Sequence, residues 1–390
     1  MRNVGTIARG IRTPIIKEND NLSEIVVDSI MNASQSEKFE ILDKDVIAIT
    51  EAVVGISMGN YATIDDIATD IKRKFKTNHI GLVFPILSRN RFSMILKGIA
   101  RGCDKITMQL SYPADEVGNH LFDEKYLKEY DINPYIDVMT YDQYNSLFKG
   151  VVHQFTGVNY VDYYKKLVES ENCEIDFIFA NDPKEIYNYV TEALACDIHT
   201  RFETKRLLNC LGLDDILSKS VNGSGFNSKY GLLGSNKSTD ERLKLFPNDC
   251  QSLVDDVQKK MKDKTGKDVE VMIYGDGAFK DPVGKIWELA DPVVSPFYTK
   301  GLEGTPNEIK IKYVSDNQFA NLKGKDLEEA IKEKIKDKAK DLKGKDVSLG
   351  TTPRRIVDLL GSLCDLTSGS GDKGTPVVLV QRYFTNYADE

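Results

Sequence analysis

Apolar, β-prone runs recur along this chain with helix-spaced segments between them. That alternation confines it to an α/β or a mixed α+β architecture. The run from Asp45 to Ser57, "DVIAITEAVVGIS", is too apolar for a solvent-facing strand and reads as one inside a sheet. "HIGLVFPIL" reads as a strand that Pro85 either ends or holds at a sheet edge. "DKITMQLSYP", "IDFIFAN" (Ile175 to Asn181), "VEVMIYGDGAF" and "TPVVLVQRYF" complete the set, the last reading as buried.

Helix starts are marked by capping chemistry. Asn21 precedes Glu24, and Thr63 precedes Asp66, each at the three-residue spacing that lets a side-chain oxygen take a first-turn N–H. Leu22, Ile25, Val26 and Ile30 then share one face, as do Ile64, Ile67, Ile71 and Phe75. Further helices are expected over "SRNRFSMILKGIARG", after Pro183, and from Asn248 or Asp249 to Gly266. The charge-dense stretch 322–346 carries a thin stripe of Leu327, Ile331, Ile335 and Leu342, and reads as a helix with a solvated face. Thr352 caps a last helix with Pro353 at its first position. From about 120 to 170 the period weakens. The Gly, Ser and Asn-rich stretch 220–241 is irregular, which marks it as functional or mobile.

A chain of 390 residues accommodates two domains or one large one. The division expected is 1–220, with an expansion at about 75–215, and 221–390. The net charge of −8 argues against nucleic acid as a partner. No apolar run approaches the roughly 18 residues that span a bilayer, and the start from Met1 to Gly5 lacks a signal-peptide core. Six scattered Cys without a CxxC pair suit a reducing compartment. A cytoplasmic protein without a membrane partner is expected. The four His stand at no metal-ligand spacing, so a metal would be held by oxygen and would be Mg or Mn.

Several groups could carry chemistry. Gly275-Asp276-Gly277 ends a strand, where Asp276 either holds a metal or closes its own turn. The loop from Ser368 to Gly374 leaves backbone N–H groups free for an anion, with Lys373 as a source of charge, although it lacks the P-loop spacing. Asn236 could hydrogen-bond a base or sugar. Arg89 and Arg91 stand at a strand-to-helix junction, and Arg354 and Arg355 at a helix start. Each pair serves a bound phosphate or a surface carboxylate. Asp115 and Glu116 are adjacent, so their side chains diverge.

These segments together resemble the coenzyme F420-0:L-glutamate ligase family. The resemblance rests on "GIRTPIIKENDNL", "LDKDVIAITEAVVGISMGN", "LFPNDCQSLVDDVQKKMKDKTGKDVEVMIYGDGAF" and "LCDLTSGSGDKGTPVVLV". "GNYATIDDIA" and "FPILSRNRF" are similar to segments of its longer bacterial members. The resemblance implies an α+β fold of mixed sheets with flanking helices, and a homodimer. It also implies a ligase that uses GTP (or ATP) with Mg or Mn to join glutamate to a small-molecule acceptor through a γ-glutamyl or related amide. Asp276 falls on a metal-binding position. Thr13, Pro14, Ile15, Ile16, Asn236, Gly369, Ser370, Asp372 and Gly374 fall on nucleotide-contacting stretches. The departures are Leu233 for a metal Asp, Gly277 for Thr or Ser, Ser370 for a metal Gln, and Glu51-Ala52 for a Ser-Lys pair. Glu51, Asp115 or Asp281 could replace the missing carboxylate. The alternative implied by these departures is a diverged member that binds a phosphate ligand or uses another acceptor.

Overall fold

The computed structural model describes residues 3–154, 156–275, 294–351, 354–368 and 371–389. Its strands, in chain order, begin with β1 Ile7–Ile11, β2 Val46–Thr50, β3 Tyr61–Thr63, β4 His79–Val83 and β5 Lys105–Leu110. β6 Met139–Thr140, β7 Glu174–Phe179, β8 Ala193–Ala195 and β9 Leu211–Gly212 follow. β10 Asn236–Lys237, β11 Arg242–Lys244, β12 Glu270–Gly275, β13 Val294–Tyr298 and β14 Val377–Gln381 complete them. They form mixed sheets flanked by helices, an α+β fold.

The central sheet runs β1-β14-β2-β12-β13, parallel between β2 and β12 and antiparallel elsewhere. Its strands alternate between two apolar layers. Ile47, Ile49, Val271, Ile273, Val377 and Leu379 face helices Leu22–Glu37 and Gln251–Thr265. Val46, Ala48, Met272, Tyr274, Val378 and Val380 face helix Ile356–Ser368. Both faces are covered, which explains why these strands are continuously apolar. Each buried Val, Ile or Leu contributes about 1.5–3 kcal/mol through the hydrophobic effect.

The segment expected to be an expansion holds a sheet of its own, ordered β6-β7-β5-β4-β8-β9. All its pairings are parallel except β6 with β7. Its β7-β5-β4-β8-β9 run has the strand order of a doubly wound sheet. Ile80, Leu82, Ile106 and Met108 pack toward helices Ile64–Lys74, Phe92–Arg101 and Tyr160–Glu169. Val83 and Ile178 face the other way, against the 3₁₀ turn Pro183–Asn188 and Leu208. Gly81 permits that approach, because a Cβ there would stand 2.4 Å from Ile186 Cγ1.

A third, small sheet is antiparallel and ordered β10-β11-β3. The irregular stretch before it is held by buried amides. Asn60 donates to Phe226 O (3.1 Å) and Phe246 O (2.8 Å), and its Oδ1 accepts from Phe226 N. Asn227 donates to Phe246 O and Pro247 O and accepts from Lys229 N and Tyr230 N.

Two expectations change in detail and one alternative is decided. The run from Asp45 to Ser57 is strand β2 followed by a helix, Glu51–Ser57, because a short apolar run fits either element by period alone. Of the two readings of Pro85, the strand end holds, since it follows the end of β4, which is a central strand. The charged helix is Gly324–Lys336, and Leu342 lies beyond it.

Candidate functional site

Two parallel neighbours, β2 and β12, end side by side at Thr50 and Gly275. Carboxyl ends of adjacent strands are where open sheets place their ligands. Here a cleft of about 610 Å³ opens beyond them. Thr13 to Ile16 form one wall, Asn236, Lys237 and Ser238 another, and Ser368, Gly371, Gly374, Thr375 and Pro376 a third. Glu51, Tyr61, Lys244 and Asp365 line it as well. Residues hundreds of positions apart in sequence thus meet at one place.

Backbone hydrogen bonds fix these walls to one another. Thr13 N donates to Gly374 O (3.3 Å), and Thr50 N donates to Pro376 O (3.0 Å). Thr375 Oγ1 donates to Ser368 O (2.9 Å), closing the glycine loop at its base. Gly371 and Gly374 have φ of +99° and +65°, and no atom lies within 4 Å of a Cβ built on either. These two glycines are thereby exposed, in a backbone conformation that can turn N–H groups outward. Asp372 lies within it and is exposed. Asn90 Nδ2 donates to Asn236 Oδ1 (3.0 Å), while Asn90 O accepts from Lys237 N (2.9 Å). Asn90 follows β4, so the six-stranded sheet contributes directly to this cleft.

The cleft floor carries an ion pair between Lys244 and Glu51, whose residues are 5% and 4% exposed. A Cβ on Gly275 would fall 1.8 Å from Glu51 Cγ, so only glycine there allows Glu51 to lie across the end of β12. Tyr274 is fully buried beneath. Burial above all, with Cys364, Asp365 and Glu51 nearby, raises its phenol and keeps it protonated.

The donor set suits a hard cation in kind. Mg is usually held by one or two carboxylates together with substrate phosphates, and the described lining offers Glu51 and Asp365. Among the described residues no group of three or more His, Cys, Asp or Glu forms a metal cage. Of the candidate replacement carboxylates, Asp115 is committed elsewhere. It accepts from Leu87 N (2.8 Å), Val117 N (3.0 Å), Asn119 N (2.8 Å) and Asn119 Nδ2 (2.9 Å). Asp276, Gly277, Asp281, Thr352, Pro353, Gly369 and Ser370 lie outside the described residues.

The remaining basic candidates stand outside the described lining of the cleft. Arg89 is exposed, and Arg91 lines a small adjacent cavity with Ile86 and Leu232. Arg354 is buried, and Arg355 makes a two-pronged pair with Asp358, both contacts 2.8 Å. Both arginines precede helix Ile356–Ser368, which starts later than the capping pattern implied. Leu233 is 3% exposed within an apolar cluster, so nothing polar occupies that position.

Sequence reasoning did not single out Lys244, Asn90 or Asp365. The signal for Lys244 was present: in "RLKLF" it alternates with Leu243 and Leu245, which places a charge on the strand face opposite a buried one. A second groove, of about 940 Å³, adjoins the cleft through shared Thr13, Pro14 and Thr375. It carries Arg9, Arg12 and Lys373.

Residues 10–382 match the family model described as F420-0:Gamma-glutamyl ligase. A comparison with curated proteins gives no match. Among the described residues no helix is long and apolar enough to cross a membrane.

Proposed function

Since the chain belongs to the F420-0:gamma-glutamyl ligase family, we propose that it is a nucleotide- and metal-dependent ligase that forms a γ-glutamyl or related amide on a small-molecule acceptor. The observation that carries this reading is the convergence of Thr13 to Ile16, Asn236 and the glycine loop on one cleft. Thr13 to Ile16 and the loop through Gly374 hold GTP or ATP, and Asn236, oriented by Asn90, contacts its base or sugar. Asp276, with Glu51 or Asp365, holds Mg or Mn. The divalent ion, when bound, neutralises charge on the transferring phosphoryl group.

An acceptor carboxylate oxygen bonds to the γ-phosphorus as the bond to the bridging oxygen breaks, releasing the nucleoside diphosphate. The glutamate nitrogen then bonds to the acyl carbon. Phosphate leaves with the C–O electron pair, and the amine gives up a proton. The groove bearing Arg9, Arg12 and Lys373 receives an anionic acceptor beside the nucleotide. A homodimer completes the proposal.

The test is hydroxylamine trapping over a panel of carboxylic acids with GTP or ATP and Mn. A hydroxamate that forms only with nucleotide is the expected result. A second reading, a phosphate-ligand-binding descendant, is favoured by the apolar surroundings of Leu233. It predicts nucleotide binding without hydroxamate for any acid.

A further inference from the structure

We infer that Lys244 and Glu51 form a ligand-displaced ion pair: the ammonium receives a phosphate in the cleft, and the carboxylate it releases takes a divalent cation. The inference rests on the nucleotide reading above and assigns roles within that site.

Burial is the first ground. The Lys244 and Glu51 side chains are 7% and 5% exposed, yet both line a cleft open to solvent. Removing two charges from water is costly, and their mutual attraction offsets that cost only in part. Such a pair is poor stabilisation compared with apolar packing. It gains a rationale if a ligand completes it.

The second ground is the charge inventory of the cleft. Among the described lining residues the other cation is Lys237, which is exposed and bound to Asp240 at 2.6 Å. Lys244 is therefore the cation set in the floor, and a compact ammonium binds phosphate as a point charge. The third ground is position. Glu51 lies across Gly275 at the end of β12, in a cleft that Asp365 also lines. A carboxylate released there is a hard oxygen donor facing the ligand space.

The consequence is coupling. Phosphate draws Lys244 from Glu51, so nucleotide promotes metal binding, and metal, by reciprocity, promotes nucleotide binding. Titration calorimetry with GTP, and separately with Mn²⁺, measures both affinities without turnover. In the unaltered protein each ligand tightens the other by about tenfold or more. Glu51→Gln keeps the shape and removes the competing charge. It tightens GTP in the absence of metal and lowers the coupling to what direct contact between Mn²⁺ and the phosphates supplies. Lys244→Met weakens GTP by about tenfold or more while tightening Mn²⁺ alone.

Coupling in Glu51→Gln equal to that of the unaltered protein overturns the ion-pair inference and leaves the nucleotide reading standing. No GTP binding by the unaltered protein, with or without Mn²⁺, overturns both. If Lys244→Met does not fold, Glu51→Gln decides the matter alone. The double variant, which leaves no unpaired charge, reports whether the pair is needed for folding.

Discussion

Single side chains decide whether this cleft exists. Asn60 satisfies Phe226 N and O of the irregular stretch and Phe246 O after β11 through its one amide. Replacing it by Ala leaves buried donors and acceptors unmet, at about 1–3 kcal/mol. Asn60→Ala is therefore expected to lower the denaturant midpoint and to weaken nucleotide binding, since the same stretch leads to Asn236. Unchanged stability would show that solvent replaces the amide. Leu233 offers a sharper contrast. The resemblance sets it where the family carries a metal Asp, and it sits in an apolar cluster at 3% exposure. Leu233→Asp is expected to destabilise by several kcal/mol without adding a metal site, because an isolated buried carboxylate is costly. Leu233→Ala should cost about 2–5 kcal/mol. A stable Leu233→Asp protein with higher Mn affinity would refute this placement. The departure at Leu233 was legible in the sequence. Its consequence, a side chain used for packing, depends on neighbours that only folding brings near.

Elements were legible wherever local chemistry decides them. The Asn21 side chain accepts from Glu24 N, and Thr63 with Asp66 forms a full capping box. Gly266 ends its helix with φ of +71°. The segment 120–170 was opaque because tyrosines hold several of its buried positions. A capping box at Thr140 and helices Tyr141–Phe148 and Tyr160–Glu169 are present, but Tyr144, Tyr160 and Tyr164 stand on their buried faces while other tyrosines are exposed, which blurs the apolar period. Packing between elements was also hidden. Gly98 lies in helix Phe92–Arg101, where glycine costs about 1 kcal/mol relative to alanine. A Cβ there would stand 2.6 Å from Ile67 Cβ on the neighbouring helix. Gly98→Ala is expected to lower the melting temperature, because the clash, at about 1–3 kcal/mol, exceeds the propensity gain. A rise in melting temperature would mean that the two helices separate freely.

At the scale of the molecule, two bodies of core share one cleft. One apolar cluster joins the six-stranded sheet to Leu243, Leu245 and Phe246, while others sandwich the central sheet. The cleft lies where these meet, and its lining draws Asn90 from the first, Thr50 and Gly275 from the second, and Lys244 from the small sheet. Sequence pattern and family resemblance pointed to Thr13 to Ile16, Asn236 and the glycine loop as separate segments. Their meeting follows from the parallel β2–β12 pairing and the return of β14 between β1 and β2, which no local signal encodes. A ligand spanning both bodies is expected to raise the melting temperature, by about 2.7 kcal/mol of stabilisation at a hundredfold excess over Kd. The most direct test of the account is calorimetric titration of GTP and ATP with and without Mg or Mn, repeated on Asp276→Ala. The account predicts metal-dependent nucleotide binding that the substitution abolishes. Absence of binding under every metal condition would contradict it and leave the family fold serving another use.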